Sequence, residues 1–353
     1  MKNRLEAALA ALPEAGDSRI YIWGAGNTAM LFREGLSRIP LKIEAFVDND
    51  PAKQGMEING APVISAGEMP KDADVLVLVC TGQPAAFAAV SRQLDGMGVR
   101  HENIDAVIFS MYRDEIREVF DSLADEESKR VYVTMLENRI ACRFPAEDVI
   151  CGEQYFTLPD FRAADAGETF IDCGAFVGDS AERYIWANDG MFKKIIAFEP
   201  DSRNCRAMGY RAKRLRKEWN IPDGGFEILP YAVGDEDSEQ YVESYGNNNG
   251  LGSKMSASAE GGGEVCRTVT LEGYITDGKC FVKADIESYE YKLLLGAKDA
   301  VARHKPKLAI CIYHNAVDFF SVPLLVKKLV PEYRLSIRHH SRALSDTVLY
   351  ARI

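Results

Sequence analysis

The chain has 353 residues, 47% hydrophobic and 27% charged, with a formal net charge of -11. That is ordinary globular composition, long enough for two domains with cores of their own. So acidic a chain is a poor partner for nucleic acid or an anionic membrane, and no window approaches the apolar length of a membrane span.

The opening residues, MKNRLEAALAALPEAG, read as an amphipathic helix without the apolar core or cleavage pattern of a signal peptide. Eight cysteines are scattered with no CxxC spacing and no legible zinc site, and Cys80, Cys173, Cys280 and Cys311 fall inside apolar strands. They read as buried, reduced small hydrophobes, so a cytoplasmic protein is expected.

Residues 18–110 alternate strand and helix signals. Strands are predicted at Arg19–Trp23, Ile43–Val47, 62–64, 74–80 and 104–109, with helices at 27–36 and 85–96. The run DVLVLVC is apolar throughout, as a parallel strand buried on both faces must be. This is a small doubly wound, Rossmann-like unit, assigned to residues 1–110. Its first turn reads G-x-G-x-x-A from Gly24 through Gly26, and Asp48 lies 22 residues past Gly26. That is dinucleotide spacing, with the helix N-terminus for phosphates and the acid for a ribose. A nucleotide on Gly24, Gly26 and Asp48 is one expectation; a scaffold kept for docking or for a homodimer is the other. The continuation VDNDPAKQGMEINGAPVIS is similar to the nucleotide-binding-like modules of some sugar acyltransferases.

Residues 111–165 read as a helical connector and are counted with a second domain, 111–353, whose core begins near 165. That core opens on TFIDCGAFVGDS, a buried strand ending at Asp172, a small-residue turn, and a helix start at Asp179 and Ser180. Two carboxylates at such a turn repel a pyrophosphate but suit a ligand rich in hydroxyls, amines or positive charge. S-adenosylmethionine is such a ligand. Further strands are predicted at Lys194–Phe198 and Phe226–Leu229, at 265–271 as an edge strand, and at 281–285 and 307–312, with a closing hairpin of 334–338 and 347–351. Helices fill the gaps, including one at 290–303 and a basic one through RAKRLRK. Residues 240–263, rich in Gly, Ser and Asn, read as a flexible segment. The pattern fits the seven-stranded doubly wound sheet of class I methyltransferases.

Open α/β sheets bind ligands beyond the carboxyl ends of their strands. Glu199 ends the second strand, 27 residues after Asp172, where a carboxylate accepts both ribose hydroxyls. Tyr231 and Ala232 follow the third strand and are expected against adenine, with Gly174, Ala175 and Gly178 shaping the pocket. Asp285 and Glu287 share a face at the fourth strand's end, and His314 follows the fifth as candidate general base. These three could instead hold a divalent metal, but the preferred reading has none. Such a set favours an oxygen acceptor, which needs a base or strong orientation.

The motifs FIDCGAFVGDS, IIAFEPD, ILPYAVGD, FVKADIESYE, PKLAICIYH and DTVLYA, in this order, resemble the FkbM family of methyltransferases over about residues 150–353. The resemblance implies a class I fold, S-adenosylmethionine as cofactor, and O-methylation of a sugar, glycolipid or secondary metabolite. It places Asp172, Gly174, Gly178, Glu199 and Asp285 around the cofactor. Ser288-Tyr289 stand where that family usually has Gly-Ala. The expected partner is a small-molecule or glycan acceptor, neither nucleic acid nor membrane. The alternatives are a nicotinamide-dependent enzyme working through the N-terminal domain and a non-catalytic scaffold that keeps a cofactor fold.

Overall fold

The computed structural model describes residues 1–14, 16–163, 165–244, 253–256 and 264–353. They form two compact units, and both are mixed α/β. The first comprises Met1–Ile150, Tyr313–Ser321 and Ile337–Thr347, and the second comprises Cys151–Ile312, Val322–Ser336 and Val348–Ile353.

The first unit is built on a six-stranded sheet in the order Glu57–Ile58, Ala61–Ile64, Ile43–Val47, Arg19–Trp23, Val75–Val79, His101–Asn103. The strands after the opening hairpin all pair in parallel. Every residue of Val75–Val79 is buried, because parallel strands are covered on both faces. Strand order reverses beside Arg19–Trp23, which pairs with Ile43–Val47 on one side and Val75–Val79 on the other. Helices Asn27–Leu36 and Pro84–Met97 follow these strands, the second closed by Gly98 at φ 69°.

One expected strand is a helix. Residues 104–109 lie in Ile104–Met111, and the sixth strand is the shorter His101–Asn103. Ile104 through Phe109 are all buried, so the apolar run carried no period to separate helix from strand. The Asn103 side chain decides it locally, accepting from the Asp105 N–H at 3.1 Å as a helix cap. Helices Arg113–Ser122 and Glu126–Ile140 follow. The second is capped by Asp125, which accepts from the Ser128 N–H at 2.8 Å.

The second unit holds a seven-stranded sheet in the order Arg334–His339, Thr347–Arg352, Lys307–Cys311, Cys280–Ala284, Thr169–Cys173, Lys194–Phe198, Phe226–Leu229. Its central strands are parallel, and Thr347–Arg352 runs antiparallel against Lys307–Cys311. An aromatic cluster fills one face: Phe170 stacks on Tyr184 at 4.3 Å, and Phe156, Phe161 and Phe281 pack round them. The expected helix at 290–303 is two, Glu290–Gly296 and Lys298–His304.

A second sheet has the order Tyr231–Val233, Glu264–Val269, Ser238–Ser244, Ser253–Ser256. The strand expected at an edge, Glu264–Val269, is therefore interior, bonded on both sides. Its alternation reflects one covered and one open face, which edge and interior antiparallel strands share. Two stretches of the expected flexible segment are strands of this sheet; residues 245–252 and 257–263 lie outside the described residues. Among the described residues, no helix is long and apolar enough to cross a membrane.

Candidate functional site

The site of the second unit grows from the strand Thr169–Cys173, buried along its whole length. Beyond it the backbone turns through Gly174 at φ 73°, Phe176 at φ 48° and Gly178 at φ 79°. A Cβ on Gly174 would sit 1.9 Å from the Asp285 carbonyl oxygen, so two strand ends approach here as only glycine allows. The N–H groups of Gly174 and Ala175 both donate to the Phe198 carbonyl at 3.0 Å, tying the turn to the next strand.

Asp172 is wholly buried. Its Oδ2 accepts from the Ser180 hydroxyl at 2.5 Å, and its Oδ1 lies 3.0 Å from Nζ of Lys283. Lys283 is a charge inside a buried strand, and it also donates to the carbonyls of Cys173 and Gly174, at 3.2 and 2.7 Å. Burial alone would push its ammonium down, but Asp172 and Asp285 hold it above the ordinary lysine range. Asp172, Ser180 and Lys283 thus form a rigid base under the turn. Asp179, at the first position of helix Asp179–Ala187, is partly exposed.

Glu199 ends the adjacent strand and is 5% exposed. Oε2 accepts from the Phe176 N–H at 2.9 Å, and Oε1 from the Asp201 N–H at 2.9 Å and the Asn204 amide at 3.2 Å. No cation pairs with it among the described residues. Burial pushes its carboxyl above the ordinary glutamate value, against the pull of those N–H donors. Tyr231 is partly exposed, with the Arg267 guanidinium 5.6 Å from its ring centre, while Ala232 is buried.

Asp285 follows Cys280–Ala284, and its Oδ2 accepts from the Tyr155 hydroxyl at 2.8 Å. Gln154 donates to the same hydroxyl at 3.0 Å, and Lys283 lies 5.3 Å from the Tyr155 ring centre. Tyr155 is held at φ 71°, its own N–H donating to the Tyr350 hydroxyl at 3.0 Å. Glu287 and Ser288 are consecutive left-handed residues, φ 55° and 77°. Glu290 closes this turn by accepting from the Ile286 N–H at 2.8 Å. In the second unit, then, Asp172, Gly174, Ala175, Gly178, Ser180, Glu199 and Asp285 lie at the ends of three neighbouring strands. His314, which follows Lys307–Cys311, clusters with the first unit and lines a cavity there.

Tyr155 escapes sequence reasoning, whereas Lys283 is read there as sharing the face of Asp285 and Glu287 but is given no partner. Tyr155 sits in a loop 130 positions from Asp285, and nothing local in the sequence marks it. Lys283 did carry a signal: a lysine in an apolar parallel strand requires a buried partner.

In the first unit, Asp48 is already engaged. Its Oδ2 accepts from the Ala25 N–H at 2.8 Å and lies 3.0 Å from Lys53 Nζ, and its Oδ1 accepts from the Asp50 N–H at 2.9 Å. Gly24, at φ 110°, would place a Cβ 3.0 Å from the Cys80 carbonyl, and Gly26 precedes helix Asn27–Leu36 as its cap.

Residues 16–99 match the CoA binding domain, and residues 172–341 match the methyltransferase FkbM domain. No curated protein matches the chain. Among solved structures, methyltransferase FkbM from Methylobacillus flagellatus KT has a TM-score of 0.59 at 20% identity, covering 99% of this chain and 98% of that one. At that identity the likeness concerns the fold. An rRNA methylase from Streptococcus thermophilus is more distant, with a TM-score of 0.33, 14% identity, and cover of 53% of this chain and 87% of that one. The family matches and the fold thus agree that the chain carries a methyltransferase FkbM domain over residues 172–341, preceded by a Rossmann-like domain matched over residues 16–99.

Proposed function

We propose that the protein is an S-adenosylmethionine-dependent O-methyltransferase acting on a hydroxyl of a carbohydrate or related metabolite. Glu199 carries this reading. A buried carboxylate that is met by three N–H donors and by no cation keeps an acceptor site on Oε2 for a hydroxyl of a ribose. With Asp179, Glu199 and Asp285 at these strand ends, a positive sulfonium is favoured there over a pyrophosphate. When bound, the cofactor supplies a methyl group already activated for transfer.

The protein's own task is then alignment and proton removal. Gly174 and Gly178 let the backbone come close, with Tyr231 and Ala232 assigned to the adenine. On the acceptor side, Tyr155 fixes one oxygen of Asp285, so that carboxylate is held in one orientation. Asp285 orients the acceptor hydroxyl, and Asp285 or Glu287 is the proposed base that takes its proton. An amine acceptor would need only neutrality, so two acids at the fourth strand's end support oxygen.

The test is transfer of a labelled methyl group to a panel of free sugars, glycosides and hydroxylated metabolites. Label recovered as a base-stable methyl ether supports the proposal. Label found only on amines would contradict the oxygen assignment. The nicotinamide reading is weaker, because the acid meant for a ribose, Asp48, already holds Ala25 and Lys53.

A further inference from the structure

The first unit contains a cavity of roughly 250 Å³ that the Gly24 turn and Asp48 do not line. Its wall includes Thr28, Thr81, Gln83, Asp105, Arg139 and Leu344. It lies beyond the carboxyl ends of Arg19–Trp23, Val75–Val79 and His101–Asn103, flanking the point where strand order reverses.

The feature that asks for a ligand is Arg139. Its side chain is 4% exposed, in the last turn of helix Glu126–Ile140. Nε lies 2.8 Å from Asp105 Oδ2, and Nη1 donates to the Tyr313 carbonyl at 2.8 Å. Nη2 has no protein partner among the described residues. The guanidinium as a whole is buried, and an acceptor entering the cavity would give Nη2 a charge-assisted hydrogen bond. Two helices also begin at this wall. Thr28 is in the first turn of Asn27–Leu36, and Gln83 caps Pro84–Met97, so both N-termini favour negative charge.

Size and charge narrow the ligand. A cavity of roughly 250 Å³ is at the low end for ligand sites and suits a small ligand better than a dinucleotide. Asp105 already offsets most of the guanidinium's charge, so a single negative charge fits better than a phosphate dianion. Leu31, Phe32, Ile104 and Leu344 give the rest of the wall an apolar character. We propose that this cavity binds a small organic monocarboxylate, its oxygens on Nη2 of Arg139 and its body against those apolar side chains.

The full-length protein is tested by ligand-observed NMR with isobutyrate, benzoate and inorganic phosphate, each at millimolar concentration. The proposal expects saturation transfer to at least one of the two carboxylates, undiminished when phosphate is added as a competitor. Arg139→Met should weaken that binding by about tenfold or more. Because that change strands Asp105, a second variant is needed. Ala343 lines the cavity from a loop and is partly exposed, so Ala343→Phe fills the space with the core intact. It should abolish carboxylate binding and leave S-adenosylhomocysteine binding unchanged, which also separates this proposal from the one above. Binding of neither carboxylate, a preference for phosphate, or binding that survives Ala343→Phe would overturn it.

Discussion

Glu199 shows what one side chain contributes. It is buried, and it fixes the Phe176 N–H of the glycine-rich turn. Burial raises its carboxyl above the ordinary glutamate value of about 4.3. The sign of the pH effect follows. An acid whose value is higher folded than unfolded does not weaken the fold as pH falls, but it protonates sooner and loses an acceptor for a ribose hydroxyl. Cofactor affinity should therefore fall on acidification at a higher pH than an ordinary glutamate would give. Calorimetric titrations at successive pH values check this, and in Glu199→Gln that acid limb should vanish along with much of the affinity. Glu199 was legible in the sequence because an acid ends an apolar run. Tyr155 was not, since its meeting with Asp285 is made by the fold and not by any local pattern.

At the scale of elements, the strands Thr169–Cys173 and Cys280–Ala284 pair in register, Asp172 opposite Lys283. Their ion pair is buried on both sides, at 0% and 3% side-chain exposure. Removing one partner leaves an uncompensated charge, so Lys283→Met should cost about 3–5 kcal/mol of stability. Adding Asp172→Asn should restore a large part of it, and a double-mutant cycle by denaturant unfolding measures the coupling. Additive losses would contradict the pairing. Most of these elements were readable, since short apolar runs ending in acids are strong strand signals. Residues 104–109 were not, because a run buried all round has no period. The better local cue was Asn103, a cap residue directly before it. Glu264–Val269 failed differently: alternation reports a half-covered strand, not its place in a sheet.

At the scale of the whole molecule, the first unit is not a contiguous piece of chain. Phe319 stacks on Tyr132 at 4.5 Å, and Asp318 pairs with Arg38. The Ser128 hydroxyl accepts from the Ile337 N–H at 2.9 Å and from Arg338 Nη1 at 2.7 Å. A fragment of residues 1–150 would lose all of these and expose a buried aromatic face. It should be markedly less stable than the same residues in the full chain, as hydrogen exchange or thermal unfolding would show. A fragment as well protected as the intact protein would contradict this. Sequence reading divides the chain along its length and has no means of finding such returns, because they join residues about 200 positions apart.

The central claim, that the second unit binds S-adenosylmethionine through Glu199, is tested most directly by calorimetric titration of the full chain with S-adenosylhomocysteine near neutral pH. The wild type should show saturable one-to-one binding that Glu199→Gln weakens by about tenfold or more with the fold unchanged. No heat of binding in the wild type, or equal affinity in the variant, would contradict it.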